Sequence, residues 1–189
     1  MSVSNVKAED NNLSGHVKVW DIAVRLFHWS LVILFAIAWV SAELWDRLHE
    51  ISGYMVGGLI IFRLIWGFIG SKYARFSDFI YRPSVVVDYL RNGLLGRSKR
   101  YIGHNPAGGY MVIVLLLSIS LLTVSGILMV SATFTGVKWI GELHEFLSGL
   151  ILFLIFVHVA GVLFISRENH ENLIRSMLTG VKARYTEHK

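Results

Sequence analysis

The sequence predicts an all-α protein, a transmembrane four-helix bundle. Three observations predict it. Hydrophobic residues make up 54% of the 189 residues and charged residues only 16%, with a mean hydropathy of +0.55. That balance belongs to membrane proteins and not to soluble cores. Four apolar runs are each long enough to cross a bilayer as a helix, which takes ~20 residues. They lack the alternation of barrel strands, and in lipid only helices satisfy so many backbone groups internally. Basic residues, finally, fall almost wholly on one side of the implied topology.

In chain order, residues 1–18 form a polar N-terminal tail. No small-residue cleavage pattern follows the first apolar run, so the first span is expected to be its own membrane signal. The spans are expected at about Ile22–Glu43, Ile51–Ile69, Gly109–Val130 and Ile140–Ile165. Between the second and third lies a basic connection, 71–107. Within it, SVVVDYLRNGLL at 84–95 spaces its apolar groups like a helix between basic flanks. This predicts a short amphipathic helix on the membrane surface, with an ordinary loop as the competing reading. The bundle domain is 19–168, and 169–189 is a basic tail.

Charge sets the orientation. Fifteen of the 18 Lys and Arg lie before or just inside the first span, in 71–107, or in the C-terminal tail. The two short connections hold only Arg47 and Lys138. Both termini and the long loop are therefore expected to be cytoplasmic. This distribution accounts for the net charge of +5, so nucleic-acid binding is not expected. The chain has no cysteine, which excludes disulfides, thiolate zinc sites, iron–sulfur clusters and covalent haem attachment.

Four of the eight histidines lie in or at the spans: His28, His49, His144 and His158. Ionisable groups at membrane depth are costly and usually functional. LHEISG at 48–53 and HEFLSG at 144–149 open the second and fourth spans on the same side, so His49 and His144 share a depth. His158 follows His144 by 14 positions, which is ~21 Å along a helix and close to one face. That brings it to the level of His28. The result is two pairs, His49–His144 and His28–His158. Opposed imidazoles suit the two axial positions of a haem iron. Without cysteine the haems are b-type, so the bundle is expected to bind two haems b and carry electrons across the membrane.

Other residues fit around this frame. Arg63 lies 14 positions after His49, at the inner level, where it is expected to pair with a haem propionate; snorkelling to the interface is the alternative. Gly53, Gly57, Gly58, Gly126 and Gly149 admit either a macrocycle or close helix packing. Glu50 and Glu145 are expected to sit at helix N-termini, where the dipole favours a carboxylate; a proton or docking role is the alternative. Trp20, Trp29, Trp45, Trp66 and Trp139 mostly mark interfaces. His104, in GHNPAGG, is either a turn residue or a proton donor to a quinone.

Together, VWDIAVRLFHW at 19–29, LHEISG with its following glycines and Arg63, HEFLSG with His158, GSKYARFSDF at 70–79 and IGHNPAGGYMV at 102–112 resemble the bacterial cytochrome b561 and nickel–iron hydrogenase b-type cytochrome family. The resemblance covers roughly 17–180. It implies a di-haem cytochrome b of the bacterial inner membrane, with His28, His49, His144 and His158 as ligands in the pairing that depth gives. It also implies electron exchange between the quinone pool and a partner, such as a periplasmic c-type cytochrome or a dehydrogenase. A hydrogenase subunit is a weaker fit, because a fifth span is lacking. Superoxide oxidation with quinone reduction is a second alternative. It needs a cationic approach, yet the short connections set Arg47 and Lys138 against Glu43, Asp46, Glu50, Glu142 and Glu145. A non-redox protein whose histidines bind zinc or shuttle protons is the third. Whether the chain forms a homodimer is open.

Overall fold

A computed structural model describes residues 15–183 apart from 96 and 98. Readings that fall on 1–14 and 184–189, among them Lys7, Arg184, His188 and Lys189, lie outside the described residues. Four helices are long and apolar enough to cross a membrane: α1 (Ile22–Ser41), α2 (Asp46–Ile69), α5 (Pro106–Val130) and α6 (Lys138–Glu168). Between α2 and α5 run a 3-10 turn (Lys72–Ala74), the short α3 (Phe76–Phe79) and α4 (Pro83–Leu94). After α6 come α7 (Leu173–Thr179) and strand β2 (Val181–Ala183), which pairs with β1 (His16–Lys18).

Three of the spanning helices start earlier than apolarity alone indicates, and each reason is local. Asn105 caps α5, its side chain accepting from Gly108 N–H at 2.7 Å, with Pro106 in the first turn. Proline suits that turn because its missing N–H has no helical partner there. The first turn of α2 carries Asp46 and Arg47, and that of α6 carries Lys138. Polar first turns project from an apolar core and escape a search for apolar runs.

The close seams are α1 with α2, α2 with α5, and α5 with α6; α6 has no comparable seam with α1 or α2. The molecule is thus two helical hairpins joined along α2 and α5. The core between them holds Phe27, Val56, Ile60, Leu116, Ile119 and Ile151. Gly57 lets α2 approach α5, since a Cβ there would lie 3.0 Å from Thr123 Cγ2. That is the helix-packing role of a small residue. The other face of the groove, between α6 and α1–α2, stays open.

The end that carries both termini is heavily built. Phe79 is fully buried beneath the bundle, and Gly109 has no room for a side chain against the Phe79 carbonyl. The amphipathic segment is helical, with Val86 and Tyr89 buried and Val87 and Leu90 exposed. The two-stranded sheet was not expected from sequence. It pairs His16 with Ala183 and Lys18 with Val181, antiparallel. Lys182 is buried between Trp20, over whose ring its Nζ lies at 5.7 Å, and Glu171 at 3.8 Å. Glu171 also receives Arg100 at 3.0 Å.

Asp21 ties this end together. It caps α1 through Val24 N–H at 2.8 Å and accepts from Trp66 Nε1 at 3.1 Å and from Ser71 Oγ. Burial works against its charge, but these bonds together hold its pKa below the usual carboxylate value. A folded pKa below the unfolded one adds stability at neutral pH that is lost as pH falls through the folded pKa. Asp21→Ala is therefore expected to lower the unfolding free energy by about 1–2 kcal/mol at neutral pH. Thermal unfolding in detergent checks this, and the gap between wild type and variant should shrink as pH drops below 3.8.

Candidate functional site

At the short-loop end, His49 of α2 and His144 of α6 face one another with ring centres 6.0 Å apart and planes at 75°. Each is held by the preceding helix of its own hairpin. His49 Nδ1 lies 2.8 Å from the Ala38 carbonyl of α1. That carbonyl lies at the end of α1, where Ala42 N–H turns to Trp39 O at 3.4 Å, and it also accepts from Ser41 Oγ at 3.3 Å. His144 Nδ1 lies 2.9 Å from Ser125 Oγ of α5.

The His49 contact determines its tautomer. A carbonyl only accepts, so His49 Nδ1 carries the proton. Ser125 Oγ lies 2.8 Å from Leu122 O as well; with its single hydroxyl proton on that carbonyl it accepts from His144 Nδ1. Both Nε2 atoms are left with a free lone pair, the form in which imidazole binds a metal. Gly126 makes room for this arrangement. A Cβ at that position would lie 3.0 Å from His144 Cε1.

At the terminal end, His28 of α1 and His158 of α6 are near enough for their charges to interact. His28 packs edge-on to Trp29 at 5.1 Å, and its Nδ1 is enclosed with no hydrogen-bond partner. Arg63 sits on the same side, only 3% exposed. It does not snorkel: Nη2 donates to Ala74 O at 3.1 Å and the guanidinium lies 5.0 Å from the Phe76 ring centre. Its Nη1 is enclosed without a partner.

His104 packs against Phe79 at 4.5 Å and Trp20 at 4.7 Å, its Nδ1 enclosed without a partner. Burial, aided by Arg63 and Lys182, pushes its pKa down to about 3. It is neutral at physiological pH, which removes the imidazolium form from the proton-donor reading.

The donor set fits haem iron. Two Nε2 ligands on one iron put their ring centres about 6 Å apart, from ~2 Å per metal–nitrogen bond and ~1 Å from nitrogen to ring centre. The short-loop pair already stands at that spacing. Gly53 and Gly161, within a turn of His49 and His158, face open space. Among the described residues, no three His, Cys, Asp or Glu side chains gather as a metal cluster.

One expectation needs correction. Glu50 and Glu145 are not first-turn residues. Asp46 holds that place in α2, and no acidic residue does so in α6, where Glu145 is the eighth residue. The dipole effect fades within the first turn, so it does not explain either glutamate. Trp20 is likewise no interface anchor: it is 8% exposed and its Nε1 donates to Ser176 Oγ at 3.3 Å. Sequence reasoning missed Ser125 and Ala38. A serine in an apolar span was a visible signal for the first; the second acts through its backbone and leaves none.

The sequence profile of the prokaryotic cytochrome b561 family matches residues 19–180, and the chain belongs to that family. Membership brings b-type haem binding and membrane electron transfer. No curated protein and no solved structure matches the chain. The tight fit behind His144 gives a test: Gly126→Val forces the ring from its place. The variant is expected to bind less haem b per chain than the wild type, as read from reduced-minus-oxidised difference spectra.

Proposed function

We propose that this member of the prokaryotic cytochrome b561 family is a di-haem electron-transfer module, with His49 and His144 ligating one haem b and His28 and His158 the other. One observation carries the reading: two facing imidazoles at 6.0 Å, each with Nδ1 tied to a protein acceptor, so that both Nε2 atoms are free for iron. The second pair rests on depth and on the proximity of His28 to His158. Arg63, with its unpartnered Nη1, is the residue suited to a propionate at the terminal end.

A bound haem supplies one-electron redox chemistry. Each haem would be held by two of these histidines, a ligand set that would favour electron transfer over ligand activation. The charge distribution supports both termini on the cytoplasmic side of the bacterial inner membrane, with the short loops outside. The outer end presents Glu43, Asp46, Glu50, Glu142 and Glu145, all exposed. That surface suits a basic redox partner, such as a c-type cytochrome, or a dehydrogenase, and disfavours steering of a superoxide anion. The quinone pool is the membrane-soluble reactant at the other terminus of the electron path.

A pyridine haemochrome assay on the detergent-purified protein tests the reading. Two b haems per chain are expected. His49→Ala and His28→Ala are each expected to reduce the count to one, and the double variant to none. A wild-type chain without haem would sink the proposal.

A further inference from the structure

The helix α4 covers only half of its apolar surface with protein. Val86 and Tyr89 turn inward and are buried, while Val87 is 63% exposed and Leu90 53%. Each residue turns a helix by about 100°, so 86 and 89 share one side and 87 and 90 the adjoining side. Ile80 before the helix and Leu95 after it are exposed as well. These four apolar side chains lie outside the spanning helices. A contiguous bare apolar face calls for a nonpolar cover.

The level of α4 in the molecule identifies the cover. Tyr110, near the start of α5, donates to the Tyr81 carbonyl at 3.0 Å. The chain entering α4 is thereby fastened where α5 begins its apolar run. The Tyr101 ring centre stands 5.7 Å from those of both Tyr81 and Tyr89. Tyrosines gathered at one level mark a membrane interface, where the ring is in apolar surroundings and the hydroxyl in wet ones.

Charge identifies the lipid. Arg82 precedes the first turn of α4 and Arg91 lies in the last, both exposed. Arg91 follows Val87 by one turn and so shares its face. Arg82 makes no side-chain cap bond. Among the described residues the ion pairs are those of Glu171 with Arg100 and Lys182, so neither arginine is neutralised by protein. Lys72, Arg75, Arg97 and Lys99 are exposed in the same connection, and Asp88 is its one exposed acid.

We infer that α4 is an interfacial anchor for anionic phospholipid. Val87 and Leu90 enter the acyl boundary of the leaflet at the terminal end, and Arg82 and Arg91 hold the headgroup phosphates. The guanidinium fork matches a phosphate. A zwitterionic headgroup offers a phosphate whose charge its own cation cancels, whereas an anionic headgroup leaves net charge for the basic face. The same connection carries Phe76, which packs on Arg63, and the buried Phe79, so lipid held at α4 also steadies the floor beneath the bundle. The inference does not depend on the two-haem reading.

A contact quencher tests it. The chain has no cysteine, so Val87→Cys gives a single attachment point for a bimane fluorophore. The labelled full chain is placed in bilayer nanodiscs that contain brominated phosphatidylglycerol or, at the same mole fraction, brominated phosphatidylcholine. The anionic lipid is expected to quench more strongly. Its enrichment over the zwitterionic lipid is expected to fall about fivefold in Arg82→Gln/Arg91→Gln and to persist in Arg82→Lys/Arg91→Lys. Equal quenching by the two lipids, or an enrichment that the glutamine pair leaves unchanged, overturns the inference. Absence of quenching by either lipid, at Val87→Cys and again at Leu90→Cys, places this face in water or against protein and overturns it as well. Size-exclusion elution as the wild-type species shows that each variant is folded.

Discussion

An imidazole placed at membrane depth has two nitrogens and no water to satisfy them. Each nitrogen must find a partner in protein or cofactor, because an unsatisfied polar group in a low-dielectric interior costs about 1–3 kcal/mol. At the short-loop end that demand is met one nitrogen at a time. The Nδ1 atoms of His49 and His144 are answered by the protein. Their rings stand with centres 6.0 Å apart. The arrangement makes physical sense when something with two opposed binding positions lies between them, and the spacing of the rings is that of an iron with two axial ligands.

The acceptor for His49 depends on where α1 stops. A helix end leaves up to four carbonyls without their helical partners, and the last turn of α1 tightens so that Ala42 bonds Trp39. Ala38 O then accepts from His49 of the adjoining helix and from Ser41 Oγ at 3.3 Å. The opposite hairpin solves the same problem with a side chain. Ser125 donates back to its own helix and accepts from His144. Thus a helix terminus and a serine perform one task, and each hairpin carries its own imidazole already oriented. The groove between hairpins needs no direct α6–α1 seam.

Much of this was legible in the sequence. The four spans follow from length and apolarity, and the histidine pairs follow from counting positions along helices of alternating direction. Position fixes depth and face, and these suffice to say which imidazoles meet. The misses share a cause. Ala38 acts through a backbone oxygen whose availability depends on the exact end of a helix, which pattern does not resolve. The β1–β2 pairing joins residues at opposite ends of the chain over three positions each, too short for any periodicity. Arg63 was placed at the right level, but the ring of Phe76 and the Ala74 carbonyl that bury it come from a loop whose fold has no repeat. The glutamates were assigned to first turns because apolar runs understate helix length.

The two ends of the bundle differ in construction as well as in charge. At the terminal end Asp21 gathers Trp66 and Ser71 beneath α1, and the buried Glu171 binds Arg100 and Lys182. The short-loop end has no described counterpart to this buried network, and its charged residues are exposed. Exposed charge is weakly coupled to the fold, since solvent screens it and substitution there changes stability by little. A haem held at that end would feel this charge through the less polar bundle, and the surface can change without disturbing the packing that holds the helices. Arg63 and Lys182 at the terminal end lack that freedom. Both are buried, one hydrogen-bonded and the other ion-paired, so a change in their field is also a change in the fold.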